Sequence, residues 1–454
     1  MPVSAVADRS DTEMELRLSE VLAGLSHALD ITEGQPRGHT ERSCVIGMRL
    51  VGVLGLDDAT RSSAFYALLL KDAGCSSNAS KVAALFGADD SVVKSTRRLT
   101  DTASRSQAVG HMLRTVAPGE SPLTKAQHVA AVLRFGSDGA RSLVAMRCER
   151  GAAVARAIGL GEVVARAILD VDEHWDGKGY PAGTAGDEIS LIGRVLCLAQ
   201  TTEVYWRHGG SSAACAIARE RRGTWFDPEL VDALLTLERA DAFWHGLENP
   251  VVAGLEPPDR VLLADPGRLD LVAEAFASVI DAKSPYTARH SAGVAEISVA
   301  LARALELGRD DRAMLRRAAL LHDIGKLGVS NRILDKPGPL TEAEREVVRR
   351  HPRWSREILT RVTAFQELAR IAGSHHERLD GSGYPSALTA EDLDLPTRIL
   401  AVADVAEALG AERPYRQALS ADEVIRTIRG ESGRTLHADA CEALEDVLPP
   451  RVQV

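Results

Sequence analysis

The segment Ala318-Ala-Leu-Leu-His322-Asp323-Ile-Gly-Lys326 decides how this chain is read. Leu315, Ala319 and Leu320 fall at helical spacing, which predicts that the His322-Asp323 doublet rides on a helix docked on a core. Adjacent residues on a helix point about 100° apart, so the pair cannot form a two-sided clamp. It can place an imidazole on one metal ion while the carboxylate, with two oxygens, reaches that ion and a second. Alone, the dipeptide would read as part of a solvated face.

Its company argues otherwise. His290 stands upstream in Tyr286-Thr-Ala-Arg-His290, and His351 opens His351-Pro352. His375-His376-Glu377 precedes Asp380-Gly-Ser-Gly-Tyr384-Pro385, and Asp404 closes Ala401-Val-Ala-Asp404. Imidazoles and carboxylates suit iron, manganese or zinc, and their use without cysteine points to a hydrolytic centre over a structural zinc.

With these motifs in order, the segment from about Arg268 onward resembles an HD-GYP domain, a branch of the HD metal-dependent phosphohydrolases. The resemblance implies an all-α fold and two divalent metal ions, Fe or Mn. His290, His322, Asp323 and Asp404 would hold one ion, and Asp323, His351, His375 and His376 the other, with Asp323 bridging. Two such ions about 3.5–4 Å apart lower the proton affinity of water between them and take up charge on a phosphodiester. Asp323 and Lys326 would be catalytic. Lys326, Tyr384, Arg413 and Arg416 would face the substrate, which the family implies is cyclic di-GMP, opened to pGpG and in some members on to GMP. Two alternatives stay open: another nucleotide as substrate, or a signalling protein that binds a cyclic dinucleotide without cleaving it. Where some members carry a Glu for a third metal, this chain has Tyr286, which favours two ions, although Glu407 is placed to add a carboxylate.

The chain also copies itself. His39 answers His290 and Asp72 answers Asp323 at one offset of 251, whereas Asp176-Gly-Lys-Gly-Tyr180-Pro181 answers Asp380-Gly-Ser-Gly-Tyr384-Pro385 at 204. The difference predicts an insert of solvated helices and loops within residues 88–147. The expected organisation is two tandem HD-type helical bundles, a degenerate copy over 12–245 and an intact one over 268–454, joined by a Pro/Gly-rich linker over 246–267. In the first copy Lys71 stands for His322, Cys75 for Lys326, Cys148 falls near His351, Val171 and Asp172 replace His375 and His376, and Gln200 replaces Asp404. A lysine in a would-be metal site argues against catalysis there. The persisting Gly-Tyr-Pro loop reads as a kept turn, or as a nucleotide site that reports to its neighbour. The repeat allows an intramolecular pseudo-dimer or a homodimer.

Composition agrees. A chain of 454 residues with 45% hydrophobic and 4% aromatic content, rich in Ala, Leu, Arg and Glu, favours helical domains with sizeable cores. A formal charge of −10 argues against a general nucleic-acid partner. Six cysteines without CxxC spacing read as reduced core residues. No run approaches the roughly 18 apolar residues of a membrane span, so no membrane partner and a cytoplasmic location are expected. Local signals are a capping box at Thr341-Glu-Ala-Glu344 and an Asp227-Pro228 helix start, which Leu436-His437-Ala438 lacks at the corresponding end of the second copy.

Overall fold

The computed structural model describes residues 16–100, 105–412 and 417–448. These form an all-α protein; among them the only extended pairings are isolated bridges such as Arg17 with Leu263. None of the described helices is long and apolar enough to cross a membrane. The opening helix, Leu18–Thr32, follows from a stripe of Leu18, Leu22, Leu25 and Leu29, all fully buried. Each half is then built alike. His39–Val53 packs on Asp58–Leu70 and Leu191–Glu220, and His290–Ala304 packs on Arg309–Leu321 and Leu395–Gly410. Both central helices start at the histidine after a residue in left-handed backbone, Gly38 (φ 85°) and Arg289 (φ 67°).

One apolar core runs through both halves. Leu18–Thr32 leans across onto the Ile324–Gly328 turn and the His351–Leu359 helix of the second half, and Pro266–Asp281 leans back onto Pro122–Ala157 of the first. The approach is close: a Cβ on Gly24 would lie 2.5 Å from Val362 Cγ2. Polar ties cross the same seam, with Ser76 Oγ donating to Val279 O (2.6 Å) and Asp90 facing both Lys283 Nζ (3.4 Å) and Asn331 N (3.3 Å).

Three local expectations fare differently. The capping box at Thr341 and Glu344 forms, and Asp227 caps Pro228–Leu235 with proline in its first turn. Where Asp-Pro is missing, His437 takes the cap role, its Nδ1 accepting from Ala440 N (3.4 Å). The 246–267 stretch does more than interrupt helices. Its Glu256 is buried, accepting from Ser19 Oγ (2.9 Å) and Tyr66 Oη, and Leu262 O receives Leu18 N (2.8 Å), so this stretch is folded onto the first half.

Candidate metal centre

The helix Arg309–Leu321 buries Leu315, Ala318, Ala319, Leu320 and Leu321 and ends one residue before the doublet. His322 is its C-cap, and Asp323 opens a tight 3-10 turn over Ile324–Gly328. The expectation that the doublet rides on the helix is thereby corrected. The physical reason lies in Gly325, where a Cβ would sit 2.1 Å from His351 O, so glycine alone lets this turn press against the His351–Leu359 helix. Ser355 staples the two, donating Oγ to His322 O (2.6 Å) and accepting from Gly325 N (2.9 Å).

Four histidines are oriented by their outward nitrogens. Nδ1 of His322, His351 and His375 donates to the carbonyls of Ala319 (2.7 Å), Val348 (2.7 Å) and Ala372 (2.6 Å), and Nδ1 of His290 meets the carboxylate of Glu407. With an outer partner fixing each ring, each Nε2 faces inward. There Asp323 divides its oxygens. Oδ2 faces Nε2 of His290 and His322 (both 3.3 Å), and Oδ1 faces Nε2 of His351 (3.2 Å) and His375 (3.8 Å). Asp404 Oδ1 faces His290 (3.4 Å) and His322 (3.7 Å), and its Oδ2 faces Nδ1 of His376 (3.6 Å). Seven residues expected at the site, His290, His322, Asp323, His351, His375, His376 and Asp404, converge.

The donor set fits divalent ions. The buried atoms His290 Nε2, His322 Nε2 and Asp323 Oδ1 have no hydrogen-bond partner, which is costly unless something else satisfies them. Metal–ligand bonds of about 2.0–2.2 Å place neighbouring donors roughly 3 Å apart, as these are. Burial opposes ionisation of Asp323 and Asp404, yet His322, Lys326 and His290 hold the Asp323 carboxyl well below its usual range, and His290, His322 and His376 do the same for Asp404. Burial keeps His351, His375 and His376 low, hence neutral and able to ligate. Burial would also lower His290 and His322, but the facing carboxylates outweigh it and raise both, His322 to about 9, so an ion bound there would displace the proton from the inward Nε2.

Around the centre, Lys326 Nζ reaches Asp323 Oδ2 (2.5 Å) with a fifth of its side chain exposed. The Tyr384 ring lies 4.8 Å from that of His376, in a loop gathered by Glu377, which accepts from Ser386 N (2.7 Å) and Leu388 N (3.0 Å). Arg413 and Arg416 lie outside the described residues. Of two neighbours, Arg349 is not singled out by the sequence, and Glu407, expected to add a carboxylate to the centre, takes another role. Arg349 holds its guanidinium 5.8 Å over the Tyr384 ring. Glu407 serves the outer nitrogen of His290, where a ligand to a third ion was envisaged; its first-half counterpart, Glu203 beside His39, stands at the same offset of 204 and was there to be found. Replacing Glu407 with Ala is expected to weaken metal binding about 10- to 100-fold, read by chelator competition; unchanged affinity would show that His290 needs no such support.

The first half repeats the frame with other chemistry. Lys71 Nζ lies between His39 Nε2 (3.0 Å) and Asp72, and Arg98 bridges Glu33 (2.6 Å) and Asp72 (3.2 Å). Gly74 approaches Arg147 O as Gly325 approaches His351 O, so Arg147, one residue before the expected Cys148, stands in the place of His351 and pairs with Asp172. The insert is therefore not merely solvated, since it drives Arg98 into this centre. Glu33, Asp72 and Cys75 lie close enough to share an ion, but Lys71 and Arg98 already occupy the carboxylates. Burial opposes a charged Asp72, and these two cations overcome it.

The family model described as HD domain matches residues 137–230 and 274–440. The 3'3'-cGAMP-specific phosphodiesterase 3 of Vibrio cholerae is 40% identical over 435 residues, 95% of this chain and 94% of that protein. The cyclic di-GMP phosphodiesterase response regulator RpfG of Xanthomonas campestris is 41% identical over 146 residues, 32% of this chain and 39% of that one. The crystal structure of a cyclic GMP-AMP specific phosphodiesterase of V. cholerae superposes with a TM-score of 0.65 at 37% identity, covering 96% of this chain and 98% of that one.

Proposed function

Because the chain belongs to the HD-domain family, in the HD-GYP branch of metal-dependent phosphohydrolases, we propose that its second half hydrolyses a cyclic dinucleotide, with 3'3'-cGAMP preferred and cyclic di-GMP as the second reading. The observation that carries the preference is coverage. The relative named for 3'3'-cGAMP matches both halves of this chain, whereas RpfG, named for cyclic di-GMP, matches a third of it.

In this reading His290, His322, Asp323 and Asp404 would hold one ion and Asp323, His351, His375 and His376 the other, iron or manganese by donor type. Such ions, when bound, supply Lewis acidity toward the phosphodiester and acidify water. The chain's own residues do the rest. Asp323 presents one oxygen to each histidine pair and so fixes their spacing. Lys326, tethered beside Asp323 and partly exposed, would hold a phosphate oxygen as charge grows on it. Tyr384 and Arg349 form a wall on the His376 side, suited to a base or ribose, and Arg413 and Arg416 are assigned the second phosphate. The domain limits 12–245, 246–267 and 268–454 belong to the same proposal. So does a first half without catalysis, supported by Lys71, Arg98 and Arg147 standing where ions and ligands would be.

Turnover of 3'3'-cGAMP, cyclic di-GMP and an aryl phosphodiester by anaerobically purified protein tests this. A kcat/KM for 3'3'-cGAMP at least about tenfold above that for cyclic di-GMP is expected. Reversal of that order would establish the second reading, and saturable binding without product at full metal occupancy would make the protein a binder.

A further inference from the structure

The first half contains a cavity of about 380 Å³, within the range of small-ligand sites, at the place where the second half has its metal centre. Its floor is cationic. Among the lining cations, Arg98 and Arg147 are matched by the carboxylates of Glu33 and Asp172 and Lys94 by that of Asp90, but the Arg97 guanidinium makes no ion pair or hydrogen bond among the described residues. Two further donors and acceptors on this wall are unsatisfied: Arg147 Nε, and Oε1 of Gln200, which is only 3% exposed. The floor therefore lacks one negative charge and an acceptor for Arg147 Nε, while Gln200 Oε1 lacks a donor.

The walls and mouth are of another kind. Val109 (48% exposed), Leu133 (64%) and Phe135 (37%) line the entrance, and Val82, Leu143 and Val144 line the interior. Large apolar side chains left in water around a charged pit are a recognition surface. They do not suit a nucleotide. Trp225, the broadest ring in the cavity, has His174 stacked at 4.1 Å and the Arg221 guanidinium at 3.7 Å; two groups that near the ring centre must take opposite faces, which leaves no face for a base. Arg141 lies 5.6 Å over the Tyr180 ring.

We propose that this cavity binds an amphiphile with a single anionic head and an unbranched apolar chain, the head on Arg97 and Arg147 and the chain leaving between Val109, Leu133 and Phe135. A fatty carboxylate and an alkyl phosphate share this chemistry. The proposal goes beyond the phosphodiesterase reading and is independent of it, because its readout is binding.

Calorimetric titration of the full chain with dodecanoate, dodecyl phosphate and dodecanol tests it. One dodecanoate or dodecyl phosphate per chain is expected, the tighter of the two identifying the head group, with dodecanol about tenfold weaker or worse. Arg97→Gln should weaken the anion by about tenfold or more, the loss of one charged hydrogen bond, and Arg97→Lys should restore most of it. Arg97 pairs with nothing among the described residues, so these variants should fold; unchanged phosphodiesterase turnover checks that. Leu133→Asp, at the exposed mouth, should weaken binding as well. The proposal is overturned if neither anion binds saturably, if dodecanol binds equally, if Arg97→Gln changes nothing, or if 3'3'-cGAMP displaces the bound anion.

Discussion

Asp323→Ala is expected to strip the protein of metal and of phosphodiesterase turnover together, by about 10³-fold or more. Its carboxylate is the one group that faces both histidine pairs, so its removal deprives each of an anionic donor at once. Loss of a mere outer partner already lowers affinity about 10- to 100-fold, and a shared ligand should exceed that. It also leaves Lys326 without its carboxylate. Elemental analysis after anaerobic purification, beside turnover and a thermal melt, separates this from unfolding, and Asp323→Asn keeps the packing while removing the charge. Full metal content in a folded Asp323→Ala would refute the assigned centre.

Asp72→Ala, the matching change in the first half, should behave in the opposite way. Turnover is expected to stay within severalfold, whereas stability should fall by about 3–5 kcal/mol, because Lys71 and Arg98 would be left as buried charges without their common partner. Urea unfolding gives the stability term and turnover well below the transition gives the activity. The pairing itself is tested by Lys71→Met with Asp72→Leu: the double variant should be less destabilised than Asp72→Ala, since no charge is stranded. Abolished turnover in a folded Asp72→Ala would mean that the first half takes part in the reaction.

Why some of this was legible beforehand, and some not, has physical causes. The candidate ligand set was readable because imidazole and carboxylate carry their chemistry in residue identity, and the helices because apolar stripes such as Leu18, Leu22, Leu25 and Leu29 repeat at the helical period. Arg147 was missed by one residue because an offset that changes from 251 to 204 leaves the register inside the insert undefined, and only the close approach at Gly74 fixes it. The place of the doublet at a helix end depends on the same kind of contact, Gly325 against His351, between residues far apart in sequence. Arg98 entering the first centre and Glu256 bound by Ser19 and Tyr66 are likewise tertiary events that local propensity does not record.

The helix Leu18–Thr32 rests on the turn that carries Asp323 and Lys326. Nicking the backbone near residue 250 should therefore not liberate an autonomous catalytic fragment, because the severed pieces would remain clasped through their common interior. Amide protons of the 324–328 turn should exchange with deuterium only as fast as the whole molecule opens, which makes the amino-terminal helix a structural part of the hydrolase despite its distance along the chain.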